Sequence, residues 1–179
     1  MDAVNEPMTP LIMLAVDGVI APFGRPGSQW QEHRVVADGL TLTLWLNPAT
    51  GPKLLKLAEI TGAELVWATA WDHDANVEIG PLIGLPTQSV CVVGQDAPPD
   101  LAAKIWCFKT PRIAQYTAGR PFVWFDDSLT LRDAAYLRGV EGVGDHLLIH
   151  VEPYRGLTDD HMERARAWLA KNRRPRGGS

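Results

Sequence analysis

The sequence contains few cysteines and no long apolar segment, and both absences exclude classes of protein. Only two cysteines, Cys91 and Cys107, occur among the 179 residues, and they form no CxxC pair, so neither a disulfide framework nor a zinc site is predicted. Both stand among apolar neighbours and are expected to be buried, reduced thiols. No apolar run approaches the ~18 residues that a membrane-spanning helix needs, so no membrane partner is expected.

The N-terminal segment and the overall charge limit the partners further. The apolar run Leu11–Val16 stops at Asp17 and follows the acidic residues Asp2 and Glu6, a pattern unlike that of a signal peptide, so a cytoplasmic protein is expected. Seventeen basic against twenty-one acidic residues give a net charge of -4, which is too acidic for nucleic-acid binding over the whole surface. Any polyanion must therefore be bound by a local group of cations.

Signature motifs of several enzyme classes are absent as well. The chain has no Walker A, GxGxxG or GxSxG motif, so ATP hydrolysis by a P-loop, dinucleotide redox chemistry and serine hydrolysis lose their usual support. With 46% hydrophobic and 21% charged residues, the composition is that of an ordinary globular protein. The length predicts one domain over residues 1–170. The basic segment 171–179 is predicted to be a flexible tail, whose arginines could alternatively hold a phosphate backbone.

Five short apolar runs recur along the chain, separated by helical or irregular stretches. They are Leu11–Val16, Glu64–Ala68, Ser89–Val93, Phe122–Phe125 and Leu147–Val151. Short runs rich in Val, Leu, Ile and Trp are typical of buried strands, and their alternation with helices predicts an α/β protein with a mostly parallel sheet. The carboxyl edge of such a sheet is where these folds bind ligands.

Four segments have the apolar spacing or the terminal residues of helices. They are Lys53–Thr61, Pro111–Ala118, Ser128–Leu137 with Ser128 as N-cap, and Thr158–Lys171. Between the first strand and the first of these helices, the segments Val35–Ala37 and Thr41–Leu46 flank Asp38-Gly39, which is the signal of a two-residue hairpin turn. A hairpin there is expected to lie over the sheet edge as a flap.

Polar residues follow the predicted strands at the points where the strands end. Asp17-Gly18 follows the first strand, Thr69 the second and Asp126-Asp127 the fourth. Lys109 precedes the fourth strand by the length of a helix. Because the carboxyl ends of parallel strands meet at one edge, these residues are expected to lie together. Taken singly, each also has a structural explanation: a turn, a helix N-cap, a solvated helix start or a partner for a helix dipole.

The order of these groups resembles the four motifs of the haloacid dehalogenase (HAD) superfamily of phosphohydrolases: DxD after the first strand, Thr or Ser after the second, a Lys, and a terminal acidic pair. The resemblance is closest to the small capless HAD domains associated with RNA-repair proteins. It rests on WATAWDHDAN (Trp67–Asn76), Leu46-Asn47-Pro48, FKTP (Phe108–Pro111) and RPFVWFDD (Arg120–Asp127). It implies an α/β fold of three layers, with a Rossmann-like parallel sheet of about five strands, the hairpin flap and no large cap.

The resemblance implies Mg²⁺ as the cofactor and assigns the acidic residues. Asp126 is the direct metal ligand by motif match, and Asp127 beside it is a ligand or holds a water. The backbone carbonyl of Asp17 supplies a further metal ligand in the family arrangement. The carboxyl group of Asp17 is then the general acid that protonates the leaving oxygen and later the base that activates water.

The remaining motif residues are expected to bind the phosphoryl group. Thr69 would donate its hydroxyl to phosphoryl oxygens, and Lys109 would balance the charge of the carboxylates and the phosphate. Lys104 is a rival for the lysine role, but it lies farther from the fourth strand and inside an apolar stretch. Lys109 begins the helix that leads into that strand, so Lys109 is the predicted residue.

The loop after Thr69 supplies the candidate substrate contacts. Ala70, Trp71 and His73 are predicted to border the substrate, with Trp71 able to stack on a base and His73 to contact a sugar or base together with Asp72 and Asn76. The structural alternatives are packing of the indole at the rim of the core and a polar helix face in the loop.

The chain departs from the family pattern at one central position. The first acid of DxD is the nucleophile that becomes an aspartyl-phosphate, and the matching residue here is Ala15, whose methyl group cannot attack phosphorus. Two interpretations follow. Either a substitution traps an otherwise active enzyme in an inactive state, which the intact remaining motifs favour, or the chain is a natural pseudoenzyme that retains the pocket.

The predicted function is therefore a Mg²⁺-dependent phosphatase fold acting on phosphomonoesters, with nucleotide or nucleic-acid ends as the substrate class that the resemblance implies. As written, the chain is predicted to be inactive because of Ala15. The alternative is a pseudophosphatase that binds phosphorylated ends or a protein partner without turnover. A two-component receiver domain is rejected, because its acidic pair comes early and its lysine last, whereas Lys109 here precedes Asp126-Asp127.

Overall fold

The core of the fold is a parallel sheet of five strands in the order β5-β4-β1-β6-β7. A computed structural model describes residues 8–97 and 107–172. The strands are β1 (Leu11–Leu14), β4 (Glu64–Trp67), β5 (Ser89–Val90), β6 (Phe122–Asp126) and β7 (His146–His150). The α/β class and the parallel sheet predicted from the sequence are confirmed.

Each predicted strand is present, with ends that differ by one to three residues. β1 ends at Leu14 and not at Val16, because the chain then enters a tight turn in which the Ala21 amide donates to the Val16 carbonyl at 2.9 Å. β5 is shorter than predicted because it lies at the edge of the sheet and pairs with β4 over Ser89 and Val90 alone.

Helices cover both faces of the sheet and form the three predicted layers. They are α1 (Thr50–Thr61), α2 (Thr110–Thr117), α3 (Leu131–Gly139) and α4 (Asp159–Lys171). Apolar side chains of α1 and α4, such as Leu54 and Leu169, pack with one face of the sheet. Those of α2 and α3, such as Ile113 and Leu137, pack with the other. The strands are thus buried on both sides, which is why they read as continuous apolar runs.

The predicted N-cap of α3 is wrong. Thr130, not Ser128, caps this helix: its side chain accepts from the amide of Arg132, and Asp133 completes a capping box. The Ser128 amide instead donates to Asp126 Oδ1 at 2.9 Å, so Ser128 belongs to the loop that carries the acidic pair. In α4, Thr158, the first residue of the predicted helix, is the N-cap and accepts from the His161 amide.

The predicted hairpin forms a separate antiparallel sheet of two strands, β2 (Gln31–Ala37) and β3 (Leu40–Leu46). Asp38 and Gly39 connect them with φ of 50° and 76°, the left-handed pair of a type I′ turn. Both strands are longer than predicted. Exposed polar residues interrupt the alternation of apolar and polar residues by which a strand is recognised in the sequence. No domain-sized cap lies between β1 and α1, as predicted.

Two sequence predictions fall on residues that the structure does not describe. Lys104 lies outside the described residues, and so does segment 173–179, while Lys171 and Asn172 form the last helical residue and the C-cap of α4. The single domain with a flexible tail therefore stays a prediction. None of the helices among the described residues is long and apolar enough to cross a membrane.

Candidate active site

The predicted site residues lie at the carboxyl edge of the sheet, around the end of β1. The strand order reverses at β1, since β4 flanks it on one side and β6 on the other. Ladder bonds continue past the strand: the Ala15 amide donates to Phe125 O at 3.2 Å and the Ala68 amide to Leu14 O at 2.8 Å. The loops after these strands therefore meet at one place, which we call the crevice because it is the usual ligand position in open parallel sheets.

The turn after β1 brings the acidic pair against Gly18. Gly18 has φ of 73°, and a Cβ at this position would lie 2.5 Å from Asp127 Oδ2. A side chain there would clash with the carboxylate, so glycine is required both for conformation and for close approach. Asp17 and Asp127 therefore lie on neighbouring loops.

A buried ion pair joins the predicted lysine to the predicted metal ligand. Lys109 Nζ donates to Asp126 Oδ2 at 2.5 Å, and the two residues are 7% and 0% exposed. Burial acts most strongly and lowers the pKa of Lys109, but the attraction and hydrogen bond of Asp126 together with the charge of Asp127 and other neighbours outweigh it, and the net shift is upward. Lys109 is therefore a charged group within the site, and the alternative of a solvated helix start is wrong.

The carboxyl group of Asp17 faces the loop after β4. Trp71 Nε1 donates to Asp17 Oδ2 at 3.1 Å. Surrounding protein atoms raise the pKa of Asp17, while the Trp71 hydrogen bond and the charge of Lys109 oppose the rise. Asp17 retains surface in contact with solvent, which limits the shift. A carboxyl group with a raised pKa is suited to hold and release a proton.

Of the residues predicted in the loop after β4, two lie at the crevice and two lie outward. Thr69 is 1% exposed, and its hydroxyl oxygen accepts from the Trp71 amide at 3.3 Å. Trp71 is half-buried with its indole on Asp17, whereas Ala70 and His73 are exposed. The assignment of these residues to substrate stays a prediction.

Asp72 and Asn76 have partners within the protein. Asp72 Oδ1 accepts from the amides of Val93 and Gly94 at 2.8 and 3.1 Å, which ties this loop to the one after β5. Asn76 accepts from Trp67 Nε1 at 2.9 Å and donates to Gln88 O at 2.9 Å. A short π-helix over Ala75–Ile79 begins between them. Both side chains stabilise the loop that carries Thr69 and Trp71.

Asp133, which the sequence analysis missed, holds the lysine loop in place. This carboxylate is 0% exposed and accepts from the Cys107 amide at 3.0 Å and Thr110 Oγ1 at 2.6 Å, on either side of Lys109. It also accepts from the Thr130 amide at 2.8 Å. One buried side chain therefore joins the start of α2 to the start of α3. The spacing of Thr130 and Asp133 is that of a capping box, so its capping role alone could be found in the sequence.

Residues 11–162 match the family described as the HAD domain in Swiss Army Knife RNA repair proteins. The chain belongs to this family. The match runs from β1 into α4 and so includes every motif position of the crevice. No curated protein sequence matches the chain. Family membership makes the chain a HAD-family hydrolase by descent, and the resemblance seen in the sequence is confirmed.

In this HAD domain, Ala15 is the residue predicted to occupy the position of the family nucleophile. Ala15 is 1% exposed and follows β1 directly. Its methyl group adds no charge to the crevice, where the carboxylates of Asp17, Asp126 and Asp127 lie with the ammonium group of Lys109. The crevice therefore contains one carboxylate fewer than it would with aspartate at position 15.

The crevice matches Mg²⁺ in donor chemistry but with few protein ligands. Carboxylate and carbonyl oxygens are the ligands that Mg²⁺ prefers, and the predicted ligands Asp126, Asp127 and the Asp17 carbonyl would supply them. Within residues 8–97 and 107–172, no three side chains of His, Cys, Asp or Glu are grouped to hold a metal. Because Mg²⁺ usually keeps several waters and is bound through one or two carboxylates, this set still fits the ion.

Proposed function

We propose that this HAD domain binds phosphomonoester ends of nucleotides or nucleic acids on a phosphatase scaffold, and that Ala15 prevents it from turning them over. The observation that carries the proposal is the buried Lys109–Asp126 ion pair at the end of β1, beside a residue that cannot act as nucleophile. The Lys109 ammonium group is charged and almost fully buried, so little water competes with an anionic ligand for its hydrogen bonds.

The chain's own residues have separable tasks in this proposal. Lys109 attracts the phosphoryl oxygens and offsets the charge of Asp126. Thr69 donates its hydroxyl hydrogen to a phosphoryl oxygen while its oxygen still accepts from the Trp71 amide. Asp126, Asp127 and the carbonyl of Asp17 would hold Mg²⁺, which when bound neutralises phosphate charge and orients the ester.

The chemical step requires the atom that Ala15 lacks. In the family reaction a carboxylate oxygen forms a bond to phosphorus as the ester P–O bond breaks, and a proton passes to the leaving oxygen. Asp17 can hold that proton, since its pKa is raised and its carboxyl group is positioned by Trp71. With a methyl group at position 15 no bond to phosphorus can form, so the ester is bound but not cleaved.

The open edge of the sheet supports ends of macromolecules as ligands. The only insertion between β1 and α1 in the described structure is the β2–β3 hairpin, so no cap encloses the crevice. An uncapped crevice admits the end of a long chain, whereas a small metabolite is usually surrounded by its site. The family description refers to RNA repair, which supports nucleic-acid ends in particular.

A pseudophosphatase that holds a phosphorylated end or protein is the second candidate. Ala15 favours it, because a chain without a nucleophile can act only through binding. The two candidates share the bound state and differ in whether an aspartate at position 15 produces turnover.

Titration calorimetry with inorganic phosphate and Mg²⁺ tests phosphate binding at the crevice, which both candidate functions require. We expect phosphate binding that requires Mg²⁺ and is lost in Lys109→Met, while the surface variant Ile60→Ala on α1 binds as the parent does. We also expect no hydrolysis of p-nitrophenyl phosphate by the chain as written. Phosphate binding that is unchanged by Lys109→Met would place the anion elsewhere and contradict the assignment.

A further inference from the structure

A pair of exposed aromatic side chains lies on two loops at the same edge as the crevice. Phe23 and Tyr154 are 52% and 67% exposed, and their rings meet edge to face with centroids 6.1 Å apart. Phe23 follows the turn after β1, and Tyr154 follows β7. Single exposed apolar residues need no explanation, but two aromatic rings in contact beside a ligand crevice form a defined surface.

The backbone beneath these rings is fixed without help from the side chains. The Phe23 amide donates to Pro153 O at 2.8 Å, and the Leu157 amide donates to Val19 O at 2.8 Å. Trp30 is 4% exposed, and a Cβ at Gly156 in the second loop would lie 3.2 Å from its ring and 3.4 Å from Pro22 Cβ in the first. The rings are therefore presented on two loops that are bonded to each other, which lowers the entropy lost when a ligand binds.

Two exposed arginines are neighbours of the aromatic pair in sequence. Arg25 lies two residues after Phe23, is exposed, and has its guanidinium group 5.4 Å from the centroid of the Trp45 ring on the hairpin. Arg155 directly follows Tyr154 and is also exposed. We call Phe23, Arg25, Tyr154 and Arg155 the aromatic rim. It provides the local cations that a protein with a net charge of -4 needs to meet a polyanion.

The aromatic rim is close to the crevice. Asp17 and Ala21 form a parallel bridge, so their Cα atoms lie about 5 Å apart. Phe23 is two residues further along, which places it within roughly 12 Å of Asp17. A ligand whose phosphate lies at Lys109 and Thr69 can thus extend over the rim.

We propose that the aromatic rim is a subsite for the unpaired bases next to the phosphorylated end of a single-stranded nucleic acid. This inference rests on the proposed function, which it deepens by specifying that the strand is single and that its bases are recognised by stacking. Aromatic faces with adjacent arginines are the usual means of holding unpaired bases without reading their sequence. With two arginines the salt dependence of binding is modest, with a slope of about -1.4 in log K against log salt.

The test measures binding of a short 5′-phosphorylated single-stranded oligonucleotide to the full chain with Mg²⁺, by fluorescence anisotropy. Its comparison ligand is an abasic phosphodiester of the same length and charge. We expect the base-containing strand to bind more tightly, and Phe23→Ala with Tyr154→Ala to weaken it at least tenfold while leaving the abasic strand unchanged. Phe23→Leu should lower the affinity for the base-containing strand as much as Phe23→Ala does, because stacking needs an aromatic ring. Ile60→Ala, which removes an exposed apolar side chain near the end of α1, should bind like the parent.

The outcomes separate this proposal from the proposed function. Equal affinity for the two ligands, or an unchanged double variant, overturns the aromatic rim, and the proposed function stands if inorganic phosphate still binds. If phosphate does not bind but base-dependent affinity falls in the double variant, the rim stands and the proposed function fails. If the double variant loses self-association but still binds the oligonucleotide as the parent does, the rim is a contact between protein copies and the proposal is overturned.

Discussion

Replacing Ala15 by aspartate should create phosphatase activity. Position 15 directly follows β1 at the crevice, where its amide is fixed by a 3.2 Å hydrogen bond to Phe125 O. An aspartate there would place a carboxylate near the ends of β4 and β6, among the groups assigned to phosphate binding and proton transfer. Loss of a nucleophile can cost on the order of 10⁶ in kcat, so the change should move turnover from undetectable to measurable.

The same substitution should destabilise the protein unless Mg²⁺ is present. Ala15 is 1% exposed, and the new carboxylate would join Asp17, Asp126 and Asp127 with Lys109 as the adjacent cation. Burying an incompletely paired polar group costs about 1–3 kcal/mol, and a charged group costs more. Mg²⁺ at a hundredfold excess over its Kd would return about 2.7 kcal/mol. The free energy of unfolding of Ala15→Asp should therefore depend on Mg²⁺ more strongly than that of the parent.

Ala15→Asn is the matched control, because it adds a polar group of the same size without a charge or a nucleophile. Hydrolysis of p-nitrophenyl phosphate and of 3′- and 5′-phosphorylated oligonucleotides should be measured for parent, Ala15→Asp and Ala15→Asn, with Mg²⁺ and with chelator. Equal, metal-dependent rates in all three would show that position 15 is not the nucleophile position. An Ala15→Asp variant that folds and binds Mg²⁺ yet hydrolyses no phosphomonoester would favour the pseudophosphatase.

Three further outcomes follow from the structure. Asp17→Asn should become more stable relative to the parent as the pH rises from about 3 to 7, because a raised pKa means that ionising Asp17 favours unfolding. Urea titrations measure the difference in free energy of unfolding, and a difference that stays constant with pH would contradict the raised pKa. Lys109→Met should cost about 3–5 kcal/mol by leaving Asp126 buried without its cation, and the Lys109→Met, Asp126→Leu double variant should lose less than the sum of the single changes. Burial raises the pKa of both Cys91 and Cys107 to about 12, so a thiol reagent at neutral pH should modify neither until denaturant is added.

The sequence predicted the sheet and the hairpin well because both depend on local patterns. Strands buried on two faces are continuous apolar runs, and β6, with five buried residues in succession, is the clearest example. The Asp38-Gly39 turn needs two left-handed residues in a row, which few dipeptides adopt. The thiols of Cys91 and Cys107 were also predicted correctly to be buried and free.

The contacts that shape the crevice could not be predicted, because they join residues distant in sequence. Nothing near Asp17 indicates that the Trp71 indole will donate to it across 54 positions. Likewise, the approach of Gly18 to Asp127 depends on β1 and β6 being neighbours. The motif order placed these residues at one edge, but the assignment of hydrogen bonds needed the packed loops.

The stabilising contacts also change what the intact motifs imply about Ala15. Lys109 and Asp126 form a buried pair whose disruption is costly, and Asp133 joins the helices on either side, so a lineage without catalysis would still keep them for the fold. Their retention therefore does not distinguish a substituted enzyme from a pseudoenzyme. Asp17 is less tightly bound into the fold, because its exposed carboxyl group has a raised pKa only to the extent that solvent allows. The turnover of Ala15→Asp is therefore the measurement that separates the two interpretations, because only a substituted enzyme would regain phosphatase activity.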